Sequence, residues 1–215
     1  QREHMGEHKR EKQYMQSMVE DLNADTTKLG SIIKSHARVE NGLDFLIDHF
    51  EEFVTGQQSP AAFEDRVVQS LNGFADFQYT DRTIDQLKNS GGMRLIRKQA
   101  ASDSIISYND IVRDYLLEEQ ILGKVYEKTV TALYQLYNFR LLRQELIKED
   151  QTPENKSFVK SSDLLLTHDK EKIEGFYNLI DVYRGTIEGK RYEAQFLKEK
   201  ATRLIAFLRT QYHLH

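Results

Sequence analysis

Apolar residues in the first quarter of the chain follow a seven-residue repeat. From Tyr14 to Val54 they occupy the two inward heptad positions, which only Asp25 and His36 interrupt. The apolar stripe is one position wider at Val19, Ile33 and Ile47. Such width is typical of a bundle helix that packs on more than one neighbour. The pattern predicts a first long helix over about residues 10–55, which ends near Gly56.

The same repeat returns twice further along the chain and predicts two more long helices, over about residues 102–148 and 168–212. The second stripe has Glu119 at an inward position, and the third has Lys190 as its one inward exception. Asp169 lies at the expected start of the third helix, where an acidic side chain suits the helix dipole.

Short elements are expected in the connections. Ser59 and Pro60 are typical of an N-cap and a first helical position, so we predict a helix over about residues 60–77. Thr83 can cap a second short helix over about residues 83–90. Pro153 stands in a polar stretch, residues 151–163, which is expected to be a loop.

These elements predict an all-α protein, because runs of alternating β-branched residues are absent from the sequence. We expect an elongated antiparallel bundle of three long helices, with short buttressing helices between the first and the second. Residues 1–215 would form a single helical-bundle domain.

Composition excludes several classes of function. The 215 residues include no Cys, so disulfides, thiolate metal sites and a Cys nucleophile are ruled out. The net charge of -4 and the mixed signs argue against a general nucleic-acid surface, which needs a clustered basic face. The sequence contains no run of 18 apolar residues that could span a bilayer.

Catalytic motifs are missing as well. The sequence has no Gly-x-Ser-x-Gly, no phosphate-binding loop and no dinucleotide fingerprint. It also lacks the Glu-x-x-His pairs that di-metal bundles use. We therefore expect no enzyme activity, no cofactor and no metal.

The polar residues at inward heptad positions are the candidate site. Suppose that residues 54 and 101 lie at the same height in an antiparallel pair of helices, and that residues 148 and 165 do so in the next pair. His36 then lies at the height of Glu119 and within one helical turn of Lys190. The same alignment places Asp25 near Arg184. A buried polar layer of this kind fixes helix register, and a His within it can also respond to pH or bind a ligand.

Two stretches of the sequence are distinctive, Lys12–Asp25 and Thr83–Ile96. Both resemble an uncharacterised bacterial family, a domain of unknown function that follows one N-terminal transmembrane helix. The first stretch resembles the start of the family's soluble part, and the second is similar to its Leu-Lys-x-Ser-Gly-x-Leu-Arg-Leu-Ile turn. This chain has Ile84 where the family tends to have an aromatic residue and Gly92 where Asn is usual. The resemblance covers roughly residues 9–115.

The resemblance implies a tether: a single membrane-spanning helix upstream of Gln1, with this domain on the periplasmic side of the inner membrane. It implies no catalytic residues. We therefore expect a membrane-tethered helical interaction module that binds a protein partner or a second copy of itself. Three alternatives stay open, namely a small-ligand or pH sensor that signals through the tether, a hydrolase or metal enzyme with an unrecognised site, and a structural spacer.

Overall fold

A computed structural model describes residues 2–144 and 160–214, with side chains from Gly6 onward. It confirms the all-α helical bundle, since the three long helices pack against each other and no strand occurs among the described residues. The helices are α1 (Arg2–Asp48), α2 (Phe50–Thr55), α3 (Pro60–Leu71), α4 (Arg82–Asn89), α5 (Gln99–Leu136) and α6 (Lys170–Tyr212). Short 3-10 turns occur at Gly92–Leu95 and Ser161–Leu164.

The start of the connection after α1 agrees with its sequence signals, apart from one interruption. His49 separates α1 from α2, so the predicted helix 10–55 is divided in two. Gly56 ends α2 with a left-handed φ of 80°, and a Cβ there would lie 2.5 Å from Ser162 Oγ. Ser59 caps α3 as predicted, because its hydroxyl accepts a hydrogen bond from Ala62 N at 3.1 Å.

The second long helix ends earlier than predicted, at Leu136 rather than near residue 148. Residues after it pair with a second segment: Asn138 N donates to Leu164 O at 2.7 Å, and Leu166 N donates to Leu136 O at 2.8 Å. Asn138 then caps a new helical stretch at 139–144. Pro153 and most of the predicted loop lie outside the described residues.

The chain divides into two compact units. The first unit comprises Gln1–Lys34, Asp76–Glu119 and Arg191–His215. The second unit comprises Ser35–Ala75 and Gln120–Lys190. The single domain inferred from the sequence stays a prediction.

In the first unit, carboxylates of α1 hold the residues between Asp76 and the start of α5 at Gln99, which we call the returning segment. Glu11 accepts a hydrogen bond from Arg97 N at 2.9 Å, and Asp21 accepts one from Thr83 N at 2.9 Å. Because residues 83 and 97 lie beside successively earlier positions of α1, this segment runs antiparallel to α1. It delivers α5 to the start of α1.

The expected antiparallel pairing of the first two long helices is therefore wrong in the first unit, where α1 and α5 run parallel. The segment between them runs back along α1 within this unit, so it is not a turn at the end of α1. α6 is antiparallel to α1, since Lys12 Nζ bonds His213 O at 3.3 Å while Gly30 lies close to Lys198.

The core of the second unit is rich in aromatic residues. Phe63 lies against Phe53 and Tyr137, with ring centroids 5.4 and 4.2 Å away. Ser161 is fully buried and donates to Phe53 O at 2.8 Å. The Phe53–Phe63 pair is edge to face and the Phe63–Tyr137 pair is tilted. Such contacts between buried rings add to the burial of apolar surface, so this cluster stabilises the unit.

Replacing Asp21 tests whether its hydrogen bonds hold the returning segment, since it accepts from Arg82 Nη2 at 2.7 Å as well as from Thr83 N. Asp21→Ala leaves the Thr83 N–H without its acceptor, and Thr83 is fully buried. We expect the free energy of unfolding to fall by about 2 kcal/mol in urea denaturation. The neighbouring Glu20 is exposed and lies 3.8 Å from Arg82, so Glu20→Ala should cost less than about 0.5 kcal/mol. Equal losses in the two variants would contradict this role.

Candidate functional site

Asp25 is the centre of a buried polar cluster in the first unit. Its heptad position turns it inward from α1, and its side chain is fully buried. Oδ1 accepts a hydrogen bond from Thr80 N at 3.0 Å. Oδ2 has no hydrogen-bond partner among the described residues. An unsatisfied buried carboxylate oxygen is costly and marks a place where a proton is readily taken up.

Two tyrosines face this carboxylate from other elements. The Tyr108 hydroxyl of α5 lies beside Asp25 but makes no hydrogen bond of normal geometry among the described residues. The Tyr79 hydroxyl donates to Asn109 Oδ1 at 3.5 Å. The two rings meet edge to face, with centroids 6.4 Å apart. Their hydroxyls therefore give the cluster polar groups within an otherwise apolar interior.

The positive charge of Lys28 acts on Asp25, but its ammonium group makes its hydrogen bonds elsewhere. Its ammonium group donates to Gln78 O at 2.6 Å and to Thr80 Oγ1 at 2.8 Å. These bonds tie α1 to the extended residues before α4. Asp25 therefore lacks a direct ion pair among the described residues.

The pKa of Asp25 follows from this environment. Burial raises it to about 6 from the ordinary 3.8, while the hydrogen bonds from Thr80 and the charge of Lys28 oppose the rise. The negative charge of Asp21 adds to it. Burial, with a contribution from the charge of Asp25, also raises the pKa of the Tyr79 and Tyr108 hydroxyls. Asp25 is thus the group in this cluster that changes charge near neutral pH.

The other members of the predicted polar layer are distributed over both units. Glu119 of the first unit accepts a hydrogen bond from Phe77 N at 2.9 Å. His36 of the second unit is fully buried, and its Nε2 lies 3.3 Å from Ala75 O. Lys190 of the second unit is also buried. The layer that would join His36, Glu119 and Lys190 stays a prediction.

The expected pairing of Asp25 with Arg184 is wrong. Arg184 bonds Asp44 at 2.8 Å and Glu188 at 2.5 Å. Asp44 and Glu188 belong to the second unit, as Arg184 does, whereas Asp25 belongs to the first. The alignment failed because it was derived from assumed helix ends, and the second helix ends before residue 148.

Sequence reasoning missed Glu11 and Asp21, which are both buried. The sequence did indicate that Asp21 is buried, because Asp21 and Asp25 stand four positions apart and so share a helix face. Tyr79 and Thr80 carried no signal, since they belong to an irregular segment whose position depends on α1.

A second feature of the first unit is a pair of adjoining clefts between α5 and α6, the α5–α6 clefts. Their volumes are about 430 and 210 Å³, and Ile111 lines both. The larger cleft contains Lys200 and Arg203, and the smaller contains Asp114 and the half-exposed ring of Phe196. Their apolar walls with charged rims are typical of surfaces that bind another molecule.

The described residues contain no group of three or more His, Asp or Glu side chains that could hold a metal ion. Nor does any helix among them have an apolar stretch long enough to cross a membrane. Comparison with family models, with characterised proteins and with solved structures gives no match.

Asp25→Asn tests the electrostatics of the cluster. The folded-state pKa is raised, so the stabilising contribution of the protonated carboxyl is complete below pH 3.8 and is lost as pH rises through about 6. We expect Asp25→Asn to be more stable than the wild type at pH 7.5, by up to about 3 kcal/mol, and to lose this advantage towards pH 4. Urea denaturation at several pH values measures the difference.

Asp110→Asn is the matched control, because the Asp110 side chain is exposed on α5. Its stability difference from the wild type should stay nearly constant over the same pH range. Parallel pH profiles for Asp25→Asn and the wild type would show that Asp25 has an ordinary pKa.

Proposed function

We propose that this chain is a non-catalytic helical interaction module whose binding face is the pair of α5–α6 clefts. The observation that carries the proposal is that the two clefts share Ile111 and that the smaller one contains the half-exposed ring of Phe196. An apolar groove between two helices accepts an amphipathic helix, whose apolar residues fill it. Exposed aromatic rings are enriched where one protein binds another.

The charged residues on this binding face differ between the two clefts. Those of the larger cleft are two cations and one acid, and those of the smaller cleft are acids alone. These are Lys200, Arg203 and Asp103 in the larger cleft, and Asp114, Glu118 and Glu193 in the smaller one. A partner helix with acidic residues at one end and basic residues at the other complements this arrangement. A second copy of the chain is included among such partners, because it presents the same two charges.

We further propose that the module is tethered by a transmembrane helix upstream of Gln1 and lies on the periplasmic side of the inner membrane. The support is the resemblance of Lys12–Asp25 and Thr83–Ile96 to a tethered family. These two stretches touch through Asp21 and Thr83. Their contact gives a physical reason why both would occur together in related chains.

Site-specific photo-crosslinking tests the interaction module. A photoreactive phenylalanine derivative replaces Phe196 in the full-length protein, which is then irradiated in its own membranes. We expect a discrete adduct, either with a second protein or with another copy of the chain, because Phe196 stands at the cleft.

The control places the same derivative at Thr202, which is exposed on α6 but does not line either cleft. It should give no specific adduct. Absence of an adduct at both positions contradicts the proposal and favours a structural spacer.

A pH sensor is the second candidate function, and the Asp25 cluster favours it. Protonation of Asp25 changes the charge beside Thr80 and Tyr108, which belong to two elements packed on α1. The groups that face Asp25 are Lys28, Asp21, Tyr79 and Tyr108.

Hydrogen exchange at the Thr80 amide tests this second candidate, after correction for the intrinsic pH dependence of exchange. A sensor should show different protection of this amide at pH 5 and pH 7.5. Asp25→Asn should remove the difference. Equal protection in the wild type at both pH values contradicts a sensor that works through this cluster.

A further inference from the structure

The second unit contains a cavity whose lining combines aromatic rings with carboxylates. Its volume is about 310 Å³. Ile47 and Phe50 form one wall from α1 and α2, and α6 forms the other wall. The α6 residues are Glu174, Tyr177, Asn178 and Asp181, which share one helix face because they are spaced by three or four positions.

The charge of this lining has a single sign. Glu174 and Asp181 are exposed acidic residues, and the lining contains no Lys, Arg or His. Asp181 makes no ion pair or hydrogen bond with any described residue. Among the residues that the structure describes, Glu174 pairs only with Lys170 of its own helix, at 3.5 Å, which is a weak and exchangeable surface contact. An anionic ligand is therefore repelled, and a cation is attracted.

Aromatic rings make the cavity suitable for an organic cation. Phe50 packs edge to face on Tyr177, with ring centroids 4.1 Å apart. Tyr177 is buried and its hydroxyl bonds Tyr137, so the pair is held in place. Aromatic rings attract ammonium groups, and their apolar surface covers the alkyl chain that joins two such groups. The described residues of this cavity do not form a three-ligand metal site.

The spacing of the carboxylates selects the shape of the cation. Glu174 and Asp181 are seven positions apart on α6, which is about 10 Å along the helix. Tyr177 and Asn178 lie between them. A ligand with a positive charge at each end and an apolar middle satisfies both carboxylates and the rings.

We propose that this cavity binds an aliphatic diamine, with one ammonium group at Glu174, the other at Asp181, and the carbon chain against Phe50 and Tyr177. The proposal goes beyond the interaction module, since its residues lie in the second unit and none of them lines the α5–α6 clefts. Either one can fail without the other.

Titration with 1,5-diaminopentane tests the proposal, with pentylamine as a matched ligand that lacks the second ammonium group. Nitrogen–proton NMR spectra of the whole chain report binding at each backbone amide. We expect saturable shifts centred on residues 174–181 at low salt, and an affinity for pentylamine about fivefold lower. Added salt should weaken both interactions.

Two variants test the contact of each carboxylate with an ammonium group of the diamine. Glu174→Gln and Asp181→Asn should each weaken binding of the diamine about fivefold and leave binding of pentylamine less affected. Both side chains are exposed, so the variants keep the fold. Glu171→Gln is the control, because Glu171 is an exposed acid of the same helix that does not line the cavity. Its affinity should equal that of the wild type.

Three results would overturn the proposal. The first is the absence of saturable shifts at millimolar diamine. The second is equal affinity for diamine and pentylamine, which removes the role of the second carboxylate. The third is an equal loss in Glu171→Gln and in the two cavity variants, because this would show that the diamine responds only to the overall charge of α6.

Discussion

The first unit depends on hydrogen bonds between α1 carboxylates and the backbone of the returning segment. Glu11, Asp21 and Asp25 accept the N–H groups of Arg97, Thr83 and Thr80. An irregular segment packed on a helix has backbone donors that no regular structure satisfies, and an ionised acceptor is among the strongest available. The three bonds fix both the direction of the segment and the place where α5 starts. The orientation of two long helices therefore follows from a few buried acids.

The sequence could predict what depends on local periodicity. The three long helices follow from the spacing of apolar residues, and the helix end at Gly56 follows from its left-handed backbone. The cap at Ser59 follows from its side-chain acceptor. Each of these causes acts within a few residues. Of the candidate site, the inward positions of Asp25 and His36 were predictable for the same reason, since a break in an apolar stripe is visible in one helix alone.

Features that depend on distant segments were not predictable. α5 ends at Leu136 because Leu164 and Leu166 offer backbone partners from almost 30 positions away. The return of the chain along α1 leaves the apolar pattern of both helices unchanged, so heptads cannot distinguish parallel from antiparallel pairing. The partner of Arg184 was not predictable for the same reason. Its bond to Asp44 depends on the axial alignment of α6 with α1, which the sequence of either helix does not determine.

Glu11 has a further consequence for the order in which the protein can fold during synthesis. It accepts a hydrogen bond from Tyr212 at 2.7 Å as well as from Arg97. At ~5–20 residues per second, a ribosome needs about 10–40 s to make the 201 residues that separate Glu11 from Tyr212. The Glu11 carboxylate must wait that long for its second donor, while the second unit, which ends at Lys190, can already be complete.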